Sequence, residues 1–291
     1  MRRRTMHPPS FDNRTAPPTW SGVVAPRRRA PRRSPWLRRL ACLPYCLLLC
    51  GAMPGCSGGK NTSWIQKPKS SKDYLDMALE AENADDRRKG VIGLARSGDG
   101  RTDWAMKVYD TIARTDVNAA TRCAAVHALA PASGAEQTPT LVKLLSSATQ
   151  KYDDVRPAPG AVRWEAAKAL HSVTARGAYS PEQRGEIVQT LLDAASGDKD
   201  RNVRLSAIDA LGQFPEPSVP PALVALLEED DYALRHAAEV SLIALTGHTH
   251  DHSAEAWRAW LAQTPDPFAE AGRTPPELQT TDSGLKLEWP W

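Results

Sequence analysis

Three histidines at alternate positions, His248-Thr-His250-Asp-His252, come nearest to a chemical constellation in this chain. Alternate side chains of an extended segment share a side, and imidazole suits Zn, Cu and Ni. The tract therefore reads either as a metal site with His248, His250 and His252 as ligands or as a polar connecting loop. The loop reading is the stronger, because no Glu or Cys stands within the tract as a further ligand. Cys42, Cys46, Cys50 and Cys56 all fall in or just after one apolar run, which leaves Cys123 as the only thiol beyond it. A lone remote thiol builds no disulfide framework, and no CxxC or Cys/His metal spacing accompanies it. Cys123 reads as a packing residue in or beside the core. The acidic clusters Asp85-Asp86, Asp153-Asp154 and Glu228–Asp231 sit at loops or helix starts, where negative charge suits the helix dipole. With no nucleophile–base pair, Gly-rich phosphate loop or distinctive carboxylate pair, neither an enzyme nor a cofactor is expected.

Charge is segregated along the chain. Of its 37 Lys and Arg and 34 Asp and Glu residues, positions 1–55 hold eleven Arg and one acid, Asp12, so a leader of net +10 precedes a body of net −7. An acidic body argues against nucleic acid as a partner, since phosphates need clustered Lys and Arg. Arg38-Arg39 precede an apolar run from Leu40 to Gly55, the pattern of a secretory signal peptide. With about 16 residues and an internal Pro44, the run is short of the ~20 that a spanning helix needs. The residues ahead of Cys56 resemble the lipobox of bacterial lipoproteins, with Gly55 at −1, although Met53 and Pro54 stand where Leu and a small residue are usual. The resemblance implies a lipid on Cys56 and a place in the cell envelope, anchored to a membrane. Plain cleavage, giving a secreted or periplasmic soluble protein, is the alternative. Residues 56–71 are rich in Gly, Ser and Lys and read as a flexible tether able to span ~50 Å.

The body repeats itself. Aligned on Arg87, Arg122, Arg163, Arg204 and Arg235, every copy has a small residue three positions on (Gly90, Ala125, Ala166, Ala207, Ala238) and a leucine seven on (Leu94, Leu129, Leu170, Leu211, Leu242). Spacings of three and four place these on one helical stripe; the small residue admits a neighbouring helix and the leucine fills the space between layers. Four positions before the arginine stand Asn83, Asn118, Pro159, Asp200 and Asp231. Asn and Asp are strong N-caps, whereas Pro159 predicts a third helix starting near Gly160 or Ala161. Partner helices are predicted ahead of each copy, at 73–81, 103–113, 138–145, 181–195 and 220–227. Polar inserts at 150–154 and 175–180 are expected to bulge from one rim.

The segments from Asp200 to Gly212 and from Asp231 to Leu242 resemble the second helix of HEAT repeats, and the resemblance extends over residues 73–247. It implies an all-α solenoid of about five two-helix repeats. It also implies a polar ladder between repeats, with Asp200, Asp231, Arg204 and Arg235 at the ladder positions and a doubtful ladder in the first half. Ala256-Trp257-Arg-Ala-Trp260 looks like the close of many bacterial arrays of this kind, a Trp-containing helix covering the last repeat. The organisation is then leader 1–55, tether 56–71, repeat domain 72–263 and Pro-rich tail 264–291. Such stacks usually bind proteins or peptides on a concave surface, so an anchored, non-catalytic scaffold is the expected function. A lyase on the same scaffold, or a metal-binding envelope protein using the histidine tract, are the alternatives.

Overall fold

A computed structural model describes residues 69–279 of the chain; the signal-like run, Cys56, most of the tether and residues 280–291 lie outside them. The described residues form α-helices joined by turns, paired into hairpins: α1 (Ser71–Glu80) with α2 (Ala84–Arg96), α3 (Asp103–Thr115) with α4 (Ala119–Leu129), and α5 (Thr138–Ser146) with α6 (Gly160–Ala175). Next come α7 (Arg184–Gly197) with α8 (Arg201–Leu211) and α9 (Val219–Leu226) with α10 (Tyr232–Thr246), followed by α11 (Ala254–Gln263) and a single turn, α12 (Pro276–Gln279). Each second helix packs on the second helix of the next hairpin, α2 on α4, α4 on α6, α6 on α8 and α8 on α10, while α5, α7, α9 and α11 follow one another in the other layer. This is an all-α solenoid of five helical hairpins among the described residues. No described helix is long and apolar enough to cross a membrane.

The second helices begin where the caps stand. The side chains of Asn83, Asn118, Asp200 and Asp231 each accept a backbone N–H from the first turn. Behind Pro159, α6 starts at Gly160 with no side-chain cap. The first helices run within a few residues of their expected bounds, except that Pro181 opens a 3-10 turn (Pro181–Gln183) and α7 proper begins at Arg184.

All five register leucines, Leu94, Leu129, Leu170, Leu211 and Leu242, are 0% exposed, each worth about 1.5–3 kcal/mol of apolar transfer. The small residue three positions after the arginine sets the helix approach. A Cβ on Gly90 would lie 2.4 Å from the Ala78 backbone nitrogen, so α1 and α2 touch there backbone to backbone.

The insert after α5 is drawn back onto the stack. Asp154 pairs with Lys143 and Arg114, the Arg156 N–H donates to the Arg114 carbonyl, and Val155 is buried. Its polar residues thus find partners on α3 and α5. In the second insert, Arg176 donates to the carbonyls of Ala130 and Ser133. Beyond α11 the chain turns back so that the Gly272 N–H donates to the Ala244 carbonyl at 2.8 Å.

Candidate functional site

Each repeat arginine bridges its second helix to nearby connections, and most reach the connection ahead of the next second helix. Arg87 holds Asp116 through Nε at 2.8 Å and also donates to the carbonyls of Ala81 and Glu82. Arg163 holds Asp198 with two bonds of 2.7 Å and donates to the Ala158 carbonyl. Arg204 pairs with Glu229 at 2.6 Å and donates to the Ala195 carbonyl, and Arg235 donates to the Glu229 carbonyl. Asp116, Asp198 and Glu229 each stand six residues before the next arginine, where the corresponding residue opposite Arg122 is Pro157. Arg122, 1% exposed, is satisfied there by the carbonyls of Ala113, Arg156 and Pro157. Burial first, then the charge of Arg156, lowers its pKa, although a guanidinium stays charged in proteins.

The ladder therefore differs from the one implied by the resemblance. Asp200 and Asp231 are N-caps, and Asp231 pairs with Arg201 rather than with Arg204. The ladder acids lie in the connections, in the first half (Asp116) as well as the second. A residue two positions ahead of the cap meets the previous repeat's guanidinium because the connection, not the helix start, passes in front of it.

Residues one position after each arginine, Arg88, Cys123, Trp164, Leu205 and His236, are half-buried or exposed and line the outer face of the second-helix layer. Along α2, α4 and α6 this face sinks into a trough of about 820 Å³. Its floor is α4, with Ala120, Cys123 and Ala124; α2 contributes Arg88, Ile92 and Arg96, α6 contributes Ala161 and Glu165, and Arg101 stands at the rim. The floor is lowest at Ala124, where α2 and α6 carry Lys89 and Glu165 at the same register position.

Charge in the trough is unevenly paired. Glu165 is held by Lys168 at 2.8 Å, with His127 at 3.9 Å, and the same Lys168 ammonium lies 4.0 Å from the Trp164 ring centre. Trp164 donates its indole N–H to Ser206 Oγ at 3.0 Å. Arg88 pairs with Asp85. Burial, then the neighbouring Glu165 charge, pushes the Cys123 thiol up from its ordinary value, the opposite of what an activated thiolate needs.

The histidine tract does different work from ligation. Its backbone wraps the carboxylate of Glu239, which is 3% exposed. Thr249 Oγ1 and the Trp257 indole N–H donate to it at 2.7 Å each, and the His250 and His252 N–H groups at 3.2 and 3.3 Å. Asp251 and His252 take left-handed φ values of 50° and 64° to make this wrap, a conformation costly for non-Gly residues. The rings diverge: His248 packs on Trp260 and His250 on Trp257, while His252 stacks on His236. Among the described residues no three His, Cys, Asp or Glu side chains gather as a metal site. Trp257 is fully buried and Trp260 meets it edge-on, closing the last hairpin.

The sequence reading named the arginines, leucines and caps but missed Asp116, Asp198, Glu239 and the trough. A signal for Glu239 was present. Four positions after each arginine stand Val91, Val126, Ala167, Ile208 and Glu239, and a single acid in an apolar row marks a changed neighbour.

The sequence profile of the family described as HEAT repeats matches residues 155–243, from just ahead of α6 into α10. No curated protein matches the chain. Among solved structures, the chain is similar to the complex of CpcE and CpcF of phycocyanin lyase from Nostoc sp. PCC7120, at 18% identity over 59% of this chain and 96% of that chain, with a TM-score of 0.43. It is likewise similar to the designed armadillo repeat protein YIII(Dq)4CqI, at 16% identity over 67% of this chain and 93% of that one, with a TM-score of 0.44.

Proposed function

We propose that this chain is an exported, lipid-anchored, non-catalytic scaffold that binds a protein or peptide segment on the face of its second helices. The observation that carries the proposal is the trough over α4, an open channel floored by Ala120, Cys123 and Ala124 and flanked by Arg88, Ile92, Arg96 and Glu165. A floor of alanines lets a partner backbone approach, and flanking arginine and isoleucine side chains supply the anchors that dominate binding energy. The non-catalytic reading rests on the sequence, which offers no nucleophile–base pair, Gly-rich phosphate loop or distinctive carboxylate pair. Anchoring at Cys56 and the envelope location rest on the leader residues, and the acidic body supports a partner other than nucleic acid.

Site-specific photo-crosslinking in the native host tests the binding face. A crosslinker at Ala120, on the trough floor, is expected to capture a reproducible protein partner, whereas one at Thr111, exposed on α3, is not. Equal capture from both positions, or from Thr111 alone, would overturn the assignment. Mass spectrometry of the membrane fraction is expected to find a diacylglyceryl Cys56; an intact, unmodified leader in the soluble fraction refutes the anchor.

A further inference from the structure

We infer that the trough over α4 takes an acidic peptide segment, with carboxylates seated on Arg96 and Arg101 and small side chains laid along Ala120 and Ala124. This rests on the reading that the second-helix face is the binding surface. Arg96 and Arg101 are both exposed and form no ion pair among the described residues, although the body as a whole carries an excess of acid. The carboxylate that faces them across the floor, Glu165, is already neutralised by Lys168. On an acidic body, two guanidinium groups left without carboxylates beside a channel are an unmet charge. A guanidinium fork binds a carboxylate with two parallel bonds, so acidic side chains on an extended backbone complement the wall. The lining contains no Trp, Tyr or Phe, and His127 is its one ring, whereas single-stranded nucleic acid needs a run of aromatic side chains for successive bases besides positive charge. A peptide is therefore favoured over an oligonucleotide.

The probe is a fluorescein-labelled synthetic peptide of alternating Glu and Ala, about twelve residues and so ~40 Å when extended. It is titrated against the full chain by anisotropy, with Gln–Ala and Lys–Ala peptides and an oligo-dT as comparisons. Alkylation of Cys123, resolved from the leader cysteines by peptide mapping, locates the bound probe. The Glu–Ala peptide is expected to bind, to slow Cys123 alkylation, and to weaken as salt rises. Arg96→Glu with Arg101→Glu is expected to weaken it about tenfold or more, while the Arg96→Lys, Arg101→Lys pair retains most of the affinity. Circular dichroism checks that both variants fold. If the Gln–Ala peptide protects Cys123 equally, the face binds peptides but the preference for acid is refuted. If no peptide binds or protects, the inference and the binding-face reading both fail. Stronger protection by oligo-dT or by the Lys–Ala peptide overturns the inference directly.

Discussion

Replacing Glu239 with alanine tests how the array is closed at its C-terminal end. The carboxylate receives four donors, of which two are short: Thr249 Oγ1 and Trp257 Nε1, each at 2.7 Å. Hydrogen bonds to a charged group contribute about 1.5–3 kcal/mol each, and the buried indole N–H left behind costs about 1–3 kcal/mol unpaired. The two longer backbone bonds add less. Against this, the loop is freed from holding Asp251 and His252 at positive φ, which returns about 1–3 kcal/mol per residue at most. The balance predicts a loss of about 2–4 kcal/mol, confined to the end of the array because repeats interact only with neighbours. Native-state hydrogen exchange is the suitable assay, since a solenoid need not unfold as one unit. Protection should fall in residues 248–257 and α10 while α2 and α4 keep theirs. Glu239→Gln, which keeps the shape but places an amide among donors, should fall between the alanine variant and the parent. A loss below about 1 kcal/mol, or exchange that rises equally in α2, would refute the idea that this carboxylate organises the cap.

Three other perturbations probe the ladder and the close contacts. A double-mutant cycle on Arg163→Ala and Asp198→Ala should give a coupling of about 2–3 kcal/mol by native-state hydrogen exchange in α6 and α8, because the pair is bidentate and its side chains are only 11% and 2% exposed; a coupling near zero would reduce the ladder to packing. Burial raises the Asp116 carboxyl, but its bonds from Arg87 and the Asn118 N–H prevail and hold it below its ordinary value. A depressed folded pKa means that the stabilisation is present above the unfolded-state value near 3.8 and is lost as pH falls through the folded one, so acid titration should weaken the contact between α2 and α4, and Asp116→Asn should remove that pH dependence. Gly90→Ala places a Cβ at 2.4 Å from a backbone atom; overpacking of about 1–3 kcal/mol should exceed the roughly 1 kcal/mol gained in helix propensity, and exchange in α1 should rise first.

Much of this molecule is legible without coordinates because its signals are local and periodic. Arginine, small residue and leucine fall at fixed offsets, and an Asn or Asp four positions earlier announces the helix that carries them. Helix register and capping depend on residues within one or two turns, so a single chain suffices to read them, and five copies average out the exceptions. The ladder acids were misplaced for a complementary reason. Asp198 and Asp200 are two residues apart, and which of them meets Arg163 depends on how the preceding connection crosses the earlier repeat, a distance set by stacking rather than by spacing.

Tertiary structure also decided the fate of the polar residues. The histidine tract has the alternation of a ligand set, yet its backbone closes around Glu239 and its rings scatter onto Trp257, Trp260 and His236. Pro157 removes an acid from the ladder, and two backbone carbonyls take its place before Arg122, a substitution invisible in side-chain patterns. The trough is a property of three helices at once: the small residues of α4 form a channel only because α2 and α6 stand on either side of it. The sequence by itself determined the repeat, its register and its caps, since these arise from contacts near in the chain. Which charges pair, which polar groups are enclosed and where a partner can lie were decided by contacts between repeats, whose geometry no local pattern encodes.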